Sequence, residues 1–292
     1  MTICMEQTGQ ASGVTLGQAI EFLLAAKRAA NFRPRYIDSL RLYLSQFARG
    51  REDLPLSHFT VEAVERWFAE RSEALTTRAS NAGRLSALFS FAERRGWIQK
   101  NPLRMMEKVR IDQKPPQILT VVQASALMEF VMYQQPRALA FFALALFAGI
   151  RPEELECIGW NDVHDGTVTV DAAASKVRRR RHVPLEPAAV QWLRIAKQLN
   201  STLPLPSGTR RTLCDRMRTV MGWKEWPQDV LRHTAASQLV ALHQDVARVA
   251  LVLGNSPQIL LTHYRNLVKP EECAEFWRIK PAQTASKTPR VA

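Results

Sequence analysis

The sequence predicts a mainly α-helical chain with one small β-hairpin or sheet. Three observations carry that expectation. Apolar residues recur at helical spacing through most of the 292 residues, in runs opened by Thr or Pro and closed by Gly. A single segment, Gly166 to Asp171, alternates β-branched and other residues with a period of two. Between a helical first part and a mixed second part lies Ile111 to Gln117, whose Pro115-Pro116 reads as an extended linker.

Each element has a local reason. Thr15 can cap a helix with Leu16, Ala19, Ile20, Leu23 and Leu24 on one side. A second helix runs from Pro34 to Ala48, with Tyr36, Leu40, Tyr43, Leu44 and Phe47 on one side. Thr60 opens a third, turning Val61, Val64, Trp67 and Phe68 inward. A fourth spans about Thr76 to Arg95, and Gly96 ends it before a bend at Trp97-Ile98 and Asn101-Pro102. In the second part Thr120 caps a helix through Val131. The apolar run Pro136 to Ala148 is a buried helix closed by Gly149, and Pro152 takes the first-turn position of the next. The strand Gly166 to Asp171 is expected to pair with Val177 to Leu185 through a turn at Ala172 to Lys176. Helices resume at Pro187, over Gly208 to Met221, over Asp229 to His243 with Asp229 as cap, and over Asp245 to Leu253. The expected boundaries are a disordered start over 1–13, a helical domain over 14–110, a linker over 111–117, a mixed domain over 118–280 and a flexible tail over 281–292.

Composition narrows the class. Lys and Arg number 40 against 27 Asp and Glu, a formal charge of +13, so a polyanion is the expected partner, nucleic acid before a membrane surface. Hydrophobic residues make up 46%, which excludes global disorder. Cys4, Cys157, Cys214 and Cys273 form no Cys-x-x-Cys pair, so neither a zinc site nor a disulfide framework is expected. Met1 to Gly13 lacks a secretory pattern, and the longest apolar stretch, Ala138 to Ile150, is too short to span a bilayer. A cytoplasmic protein without a membrane partner is the resulting expectation.

Four residues suggest chemistry on phosphate. Cleaving a phosphodiester through a side chain needs an in-line nucleophile, cations for the non-bridging oxygens, and a proton donor for the departing oxygen. Tyr264 is a candidate nucleophile. Arg151, just before the helix opened by Pro152, and Arg232, in the first turn of another, suit the cations, because guanidinium grips two phosphate oxygens and stays charged. Lys176 at the hairpin suits the donor. Taken singly, these are more often solvated charges, a general phosphate patch along Arg178 to Arg181, and a core tyrosine.

Their order and contexts together resemble the tyrosine recombinase (phage integrase) family over nearly the whole chain. Gly149-Ile150-Arg151-Pro152-Glu153-Glu154-Leu155 resembles the family's first arginine box. Lys176 before Val183-Pro184-Leu185 resembles its hairpin lysine. Leu231-Arg232-His233-Thr234-Ala235-Ala236-Ser237 resembles the second arginine box. Leu253-Gly254-Asn255-Ser256 and Thr262-His263-Tyr264 resemble the segment that ends in the nucleophile. The resemblance implies a helical, SAM-like core-binding domain, a mixed α/β catalytic domain, and a C-shaped clamp on double-stranded DNA. It implies a site-specific recombinase or integrase of a mobile element. Tyr264 would form a 3′-phosphotyrosyl link, Arg151 and Arg232 would hold the phosphate, and Lys176 would protonate the leaving oxygen, with no ATP, metal or other cofactor. It further implies a homo-tetramer on DNA and a monomer or weak oligomer alone. Arg35, Arg78, Arg84, Arg178 and Arg180 are the candidate DNA contacts.

Two positions depart from the family pattern. Asp229 stands three before Arg232, where histidine is usual, and Asn255 follows Leu-Gly, where histidine or tryptophan is usual. Asn255 can still donate to a phosphate oxygen, and Asp229 reads as a carboxylate base or only a helix cap. The alternatives are a decayed homologue that binds DNA without cutting it and a type IB topoisomerase-like activity. The segment Glu271 to Ile279 would pack on a neighbouring protomer by analogy, or on its own domain.

Overall fold

The computed structural model describes residues 13–111, 115–173, 179–264 and 267–281. The chain divides into two compact units, Met1–Gln113 and Lys114–Ala292.

The first unit is helical: α1 (Leu16–Ala29), α2 (Pro34–Ala48), α3 (Val61–Ala69) and α4 (Leu75–Arg94). Thr15 makes a full capping box with Gln18, each side chain bonding the other's backbone N–H at 3.3 and 3.1 Å. Thr60 caps α3 in the same way through the amide of Ala63. Burial follows the apolar stripes: Leu16, Leu24, Leu44, Phe47, Leu85 and Phe89 are closed off from solvent. Phe47 is the hub, meeting the rings of Trp67 at 5.0 Å and Phe59 at 5.4 Å. Tyr36 departs from its expected side. It is exposed beside Phe32, because α2 rotates so that Ile37, not Tyr36, enters the core. The bend after α4 is held by buried Asn101, whose amide donates to Ser86 and Ser90 while its oxygen caps Leu103.

The second unit surrounds α6 (Leu139–Phe147), nine apolar residues all buried. Before it lie α5 (Val121–Gln134), capped by Thr120, and a 3₁₀ turn at Pro136–Ala138. After it come Gly149 and the short α7 (Pro152–Leu155). A three-stranded antiparallel sheet follows, ordered β1 (Val163–His164), β2 (Thr167–Val170), β3 (Arg181–Pro184). Val168 pairs with Val163 on one side and Val183 on the other. The remaining helices are α8 (Pro187–Gln198), α9 (Ser207–Val220), α10 (Val230–His243), α11 (Val246–Leu253), α12 (Pro257–His263) and α13 (Pro270–Phe276). The segment from α13 to Ile279 packs on its own unit: Phe276 meets Phe147 at 5.3 Å and the Trp192 indole donates to the Ile279 carbonyl at 3.1 Å. No helix among the described residues is long and apolar enough to cross a membrane.

Two local expectations change. Among the described residues the partner strand begins at Arg181, and Val177 lies outside them. Arg179 and Arg180 stay exposed to solvent ahead of the ladder, and Arg180 reaches out to Asp171 at 3.4 Å instead of pairing. Lys176 and Arg178 lie outside the described residues. Asp229 does not cap α10 with its side chain. A side-chain cap needs extended backbone, whereas Asp229 is left-handed, with φ +52° and no capping bond; aspartate tolerates this conformation better than most residues.

Candidate active site

Three turns of the second unit bring the site together. Gly149 has φ +62°, and a Cβ there would lie 2.7 Å from Leu253 Cδ2 and 3.1 Å from Ala235 Cβ. The position therefore needs glycine for both its backbone angle and its space. That close approach sets Arg151 and the Gly149 carbonyl against the end of α11. Gly254, φ +64°, ends α11 and turns the chain to Asn255. Ser256 caps α12 with Pro257 in its first turn, and the helix delivers Tyr264 at its C-terminal end.

The two arginines converge on one amide. Asn255 Oδ1 accepts from Arg151 Nη2 at 2.7 Å and from Arg232 Nη2 at 3.1 Å. Arg151 also donates to the Gly254 carbonyl at 2.8 Å, and Arg232 to the Leu253 carbonyl at 2.7 Å and to the Gly149 carbonyl. Main-chain carbonyls at a helix C-terminus carry partial negative charge, so they suit cations. Arg232 is only 7% exposed. Burial, and then the neighbouring Arg151, push its pKa down to about 10, which leaves it charged at neutral pH.

Glu154 supplies the counter-charge. It is buried and accepts from Arg151 at 3.2 Å and, with both oxygens, from Arg181 at 3.0 and 2.6 Å. Arg181 in turn donates to the Val252 carbonyl at 2.9 Å. Burial raises the carboxyl's pKa. The hydrogen bonds and charges of Arg181 and Arg151 outweigh it, so the net shift is downward. Because the folded pKa is depressed, its stabilisation is present above the ordinary carboxylate range and is lost as pH falls through the lower folded value. We expect Glu154→Gln to destabilise the chain by about 3 kcal/mol, since it leaves buried guanidiniums without their partner. In thermal melts this is a fall of roughly 6–12 °C. The midpoint of the variant should also depend less on pH below about 4.5 than that of the wild type.

Tyr264 is 5% exposed, and its hydroxyl lies 2.6 Å from His233 Nδ1. Burial and the Asp229 charge raise the phenol's pKa, while Arg232 and Arg151 oppose the rise. The imidazole of His233 is half-buried. Burial, then Arg232 and His263, lowers its pKa against the pull of Asp229, so it is neutral at pH 7.

Of the expected site residues, Arg151, Arg232 and Asn255 thus touch directly. Tyr264 joins them through the residue beside Arg232. Asp229 is exposed, and its main-chain oxygen accepts from the His233 amide at 2.8 Å. Arg35 is exposed, and Arg78 lies over the Phe68 ring at 5.4 Å. Arg84 is tied to Ser39, Ser80 and Asn81. Sequence reasoning missed His233, Glu154 and Arg181. The spacing Arg-x-x-Glu before a helix was a usable sign for Glu154; nothing local marked His233. Among the described residues no group of His, Cys, Asp or Glu could hold a metal ion.

The family model described as the phage integrase family matches residues 117–269. The tyrosine recombinase XerC of Chlamydia muridarum (strain MoPn / Nigg) is 24% identical over 250 residues, covering 77% of this chain and 79% of that protein. A lambda integrase (75-356) dimer bound to a COC′ core site superposes with a TM-score of 0.70 at 18% identity, covering 87% of this chain and 98% of that one. A lambda integrase tetramer bound to a Holliday junction gives 0.67 at 18%, covering 85% and 78%. At that identity the structural likeness speaks for the fold alone.

Proposed function

Because this chain belongs to the phage integrase family, we propose that it cleaves and rejoins double-stranded DNA at specific sites through a covalent link on Tyr264. The observation that carries this reading is the convergence of Arg151 and Arg232 on Asn255 Oδ1, beside a buried phenol. Two guanidiniums held side by side match the non-bridging oxygens of a phosphate in a pentavalent transition state. With Oδ1 taken, the NH₂ end of Asn255 is the end that remains for a phosphate oxygen.

In this scheme the Tyr264 oxygen attacks phosphorus in line, and the bond to the 5′-oxygen breaks. Lys176 gives that oxygen its proton. A 5′-hydroxyl from a second duplex then reverses the step and exchanges strands. The phosphoester is retained on the tyrosine, so the rejoining needs no external energy source. Arg35, Arg78 and Arg84 in the first unit, and Arg178 and Arg180 in the second, contact the DNA backbone. Four copies assemble on two sites, as the lambda integrase tetramer does on a Holliday junction.

The test is trapping on a duplex recovered by binding selection and nicked near its crossover point, so that the released strand diffuses away. The expected product is a detergent-resistant adduct, with binding that weakens steeply as salt rises. A chain that binds this duplex and forms no adduct is the non-cleaving homologue that Asp229 suggests. Plasmid relaxation without recombinants would mark a topoisomerase.

A further inference from the structure

We propose that His233 is the catalytic base that takes the Tyr264 proton during cleavage and returns it on rejoining. The inference rests on the recombinase reading above and adds to it the group that activates the nucleophile.

Geometry carries the argument. Among the described residues, His233 Nδ1 is the one hydrogen-bond partner of the Tyr264 hydroxyl, at 2.6 Å. This is within the reach that proton transfer requires. The ring centroids lie 5.7 Å apart and the planes are tilted by 34°. A protonated phenol donates, which assigns the neutral imidazole with its hydrogen on Nε2 and a lone pair on Nδ1. The charged and titratable groups that face His233 are Asp229 and Arg232 from α10, and His263 and Tyr264 at the end of α12. Together with burial they leave the ring neutral and able to accept at physiological pH. Asp229, another carrier of a basic atom here, is exposed and left-handed, and no side-chain bond joins it to the phenol.

The step balances within the chain. The Tyr264 oxygen forms its bond to phosphorus as the hydroxyl proton passes to Nδ1, giving imidazolium. The 5′-oxygen leaves with the Lys176 proton. On rejoining, the 5′-hydroxyl attacks, its proton returns to Lys176, and imidazolium reprotonates the departing phenol. Arg232, adjacent to His233, stays charged throughout.

The experiment is single-turnover adduct formation by the full chain on the nicked duplex, as a function of pH. His233→Asn keeps an acceptor near Nδ1 but cannot take the proton. We expect a loss of about 10²–10³-fold near neutrality. The wild type should show an acid limb, falling about tenfold per pH unit below the His233 pKa, and the variant should lack it. Fluorinated tyrosine at position 264, a more acidic phenol, should recover most of the lost rate in His233→Asn; a merely structural defect would not recover. Asp229→Asn should lose far less than His233→Asn and should move the acid limb to lower pH. The wild-type profile and the fluorotyrosine series keep the test decisive if His233→Asn folds poorly. A wild type that forms adduct without an acid limb, or a His233→Asn rate within threefold of it, overturns the base assignment alone. An acid limb abolished by Asp229→Asn gives the role to the aspartate. Absence of any wild-type adduct overturns the recombinase reading, and this inference with it.

Discussion

Tyr264→Phe should abolish the covalent adduct outright while the folded chain and its grip on DNA persist. The phenyl ring still fills the site where Tyr264 is buried in one apolar cluster with Ala236, Val249 and Leu260. Only the hydroxyl and its bond to His233 are lost, a cost of about 1 kcal/mol. The thermal midpoint should therefore move by only a few degrees. Trapping on the nicked duplex should then fall to background, because no other hydroxyl is held in that place. A gel shift run beside the trapping assay separates the two effects. If the phenylalanine chain still forms a detergent-resistant adduct, the nucleophile is another residue.

Arg232→Lys should be nearly as severe, and for a different reason. Arg232 serves three acceptors at once: the carbonyls of Gly149 and Leu253 and the Asn255 amide. Lysine is a single compact charge on a flexible stem and cannot bridge all three. On the proposed reading its variant loses the preset fork for phosphate, on the order of 3 kcal/mol or more of transition-state stabilisation, at least a hundredfold in rate. It also leaves buried carbonyls without donors, about 1–3 kcal/mol for each. We therefore expect a lower melting point together with the lost rate, unlike the isolated chemical defect of Tyr264→Phe. An Arg232→Lys chain that melts like the wild type would show that the three bonds carry no stability. A rate within tenfold would remove Arg232 from the phosphate cradle.

Much of this fold was written in local chemistry. Thr15 and Thr60 announced their helices because side-chain capping is decided within a few residues. Pro34, Pro152 and Pro187 marked helix starts for the same reason. What escaped was short or tertiary. The strand β1 has two residues, too few for a period, and α12 has seven, hidden behind a Ser-Pro that also reads as a turn. Asp229 carried a cap-forming side chain, but packing selected a left-handed backbone that turns it away. In the site, Arg151, Arg232 and Tyr264 were legible through their motifs. The partners that set their charge were not. Glu154 meets Arg181 across 27 residues, and His233 meets Tyr264 across 31, distances at which no periodicity operates.

The run from α11 through Gly254 and Asn255 to α12 carries acceptors for both cationic side chains and ends in the phenol itself. Chimeras between homologous chains should respect that linkage. A breakpoint at the left-handed Gln244, ahead of α11, transplants the whole cassette. A breakpoint between Leu253 and Ser256 splices one parent's anchor points to the other parent's phenol, and the hybrid inherits a misaligned pair.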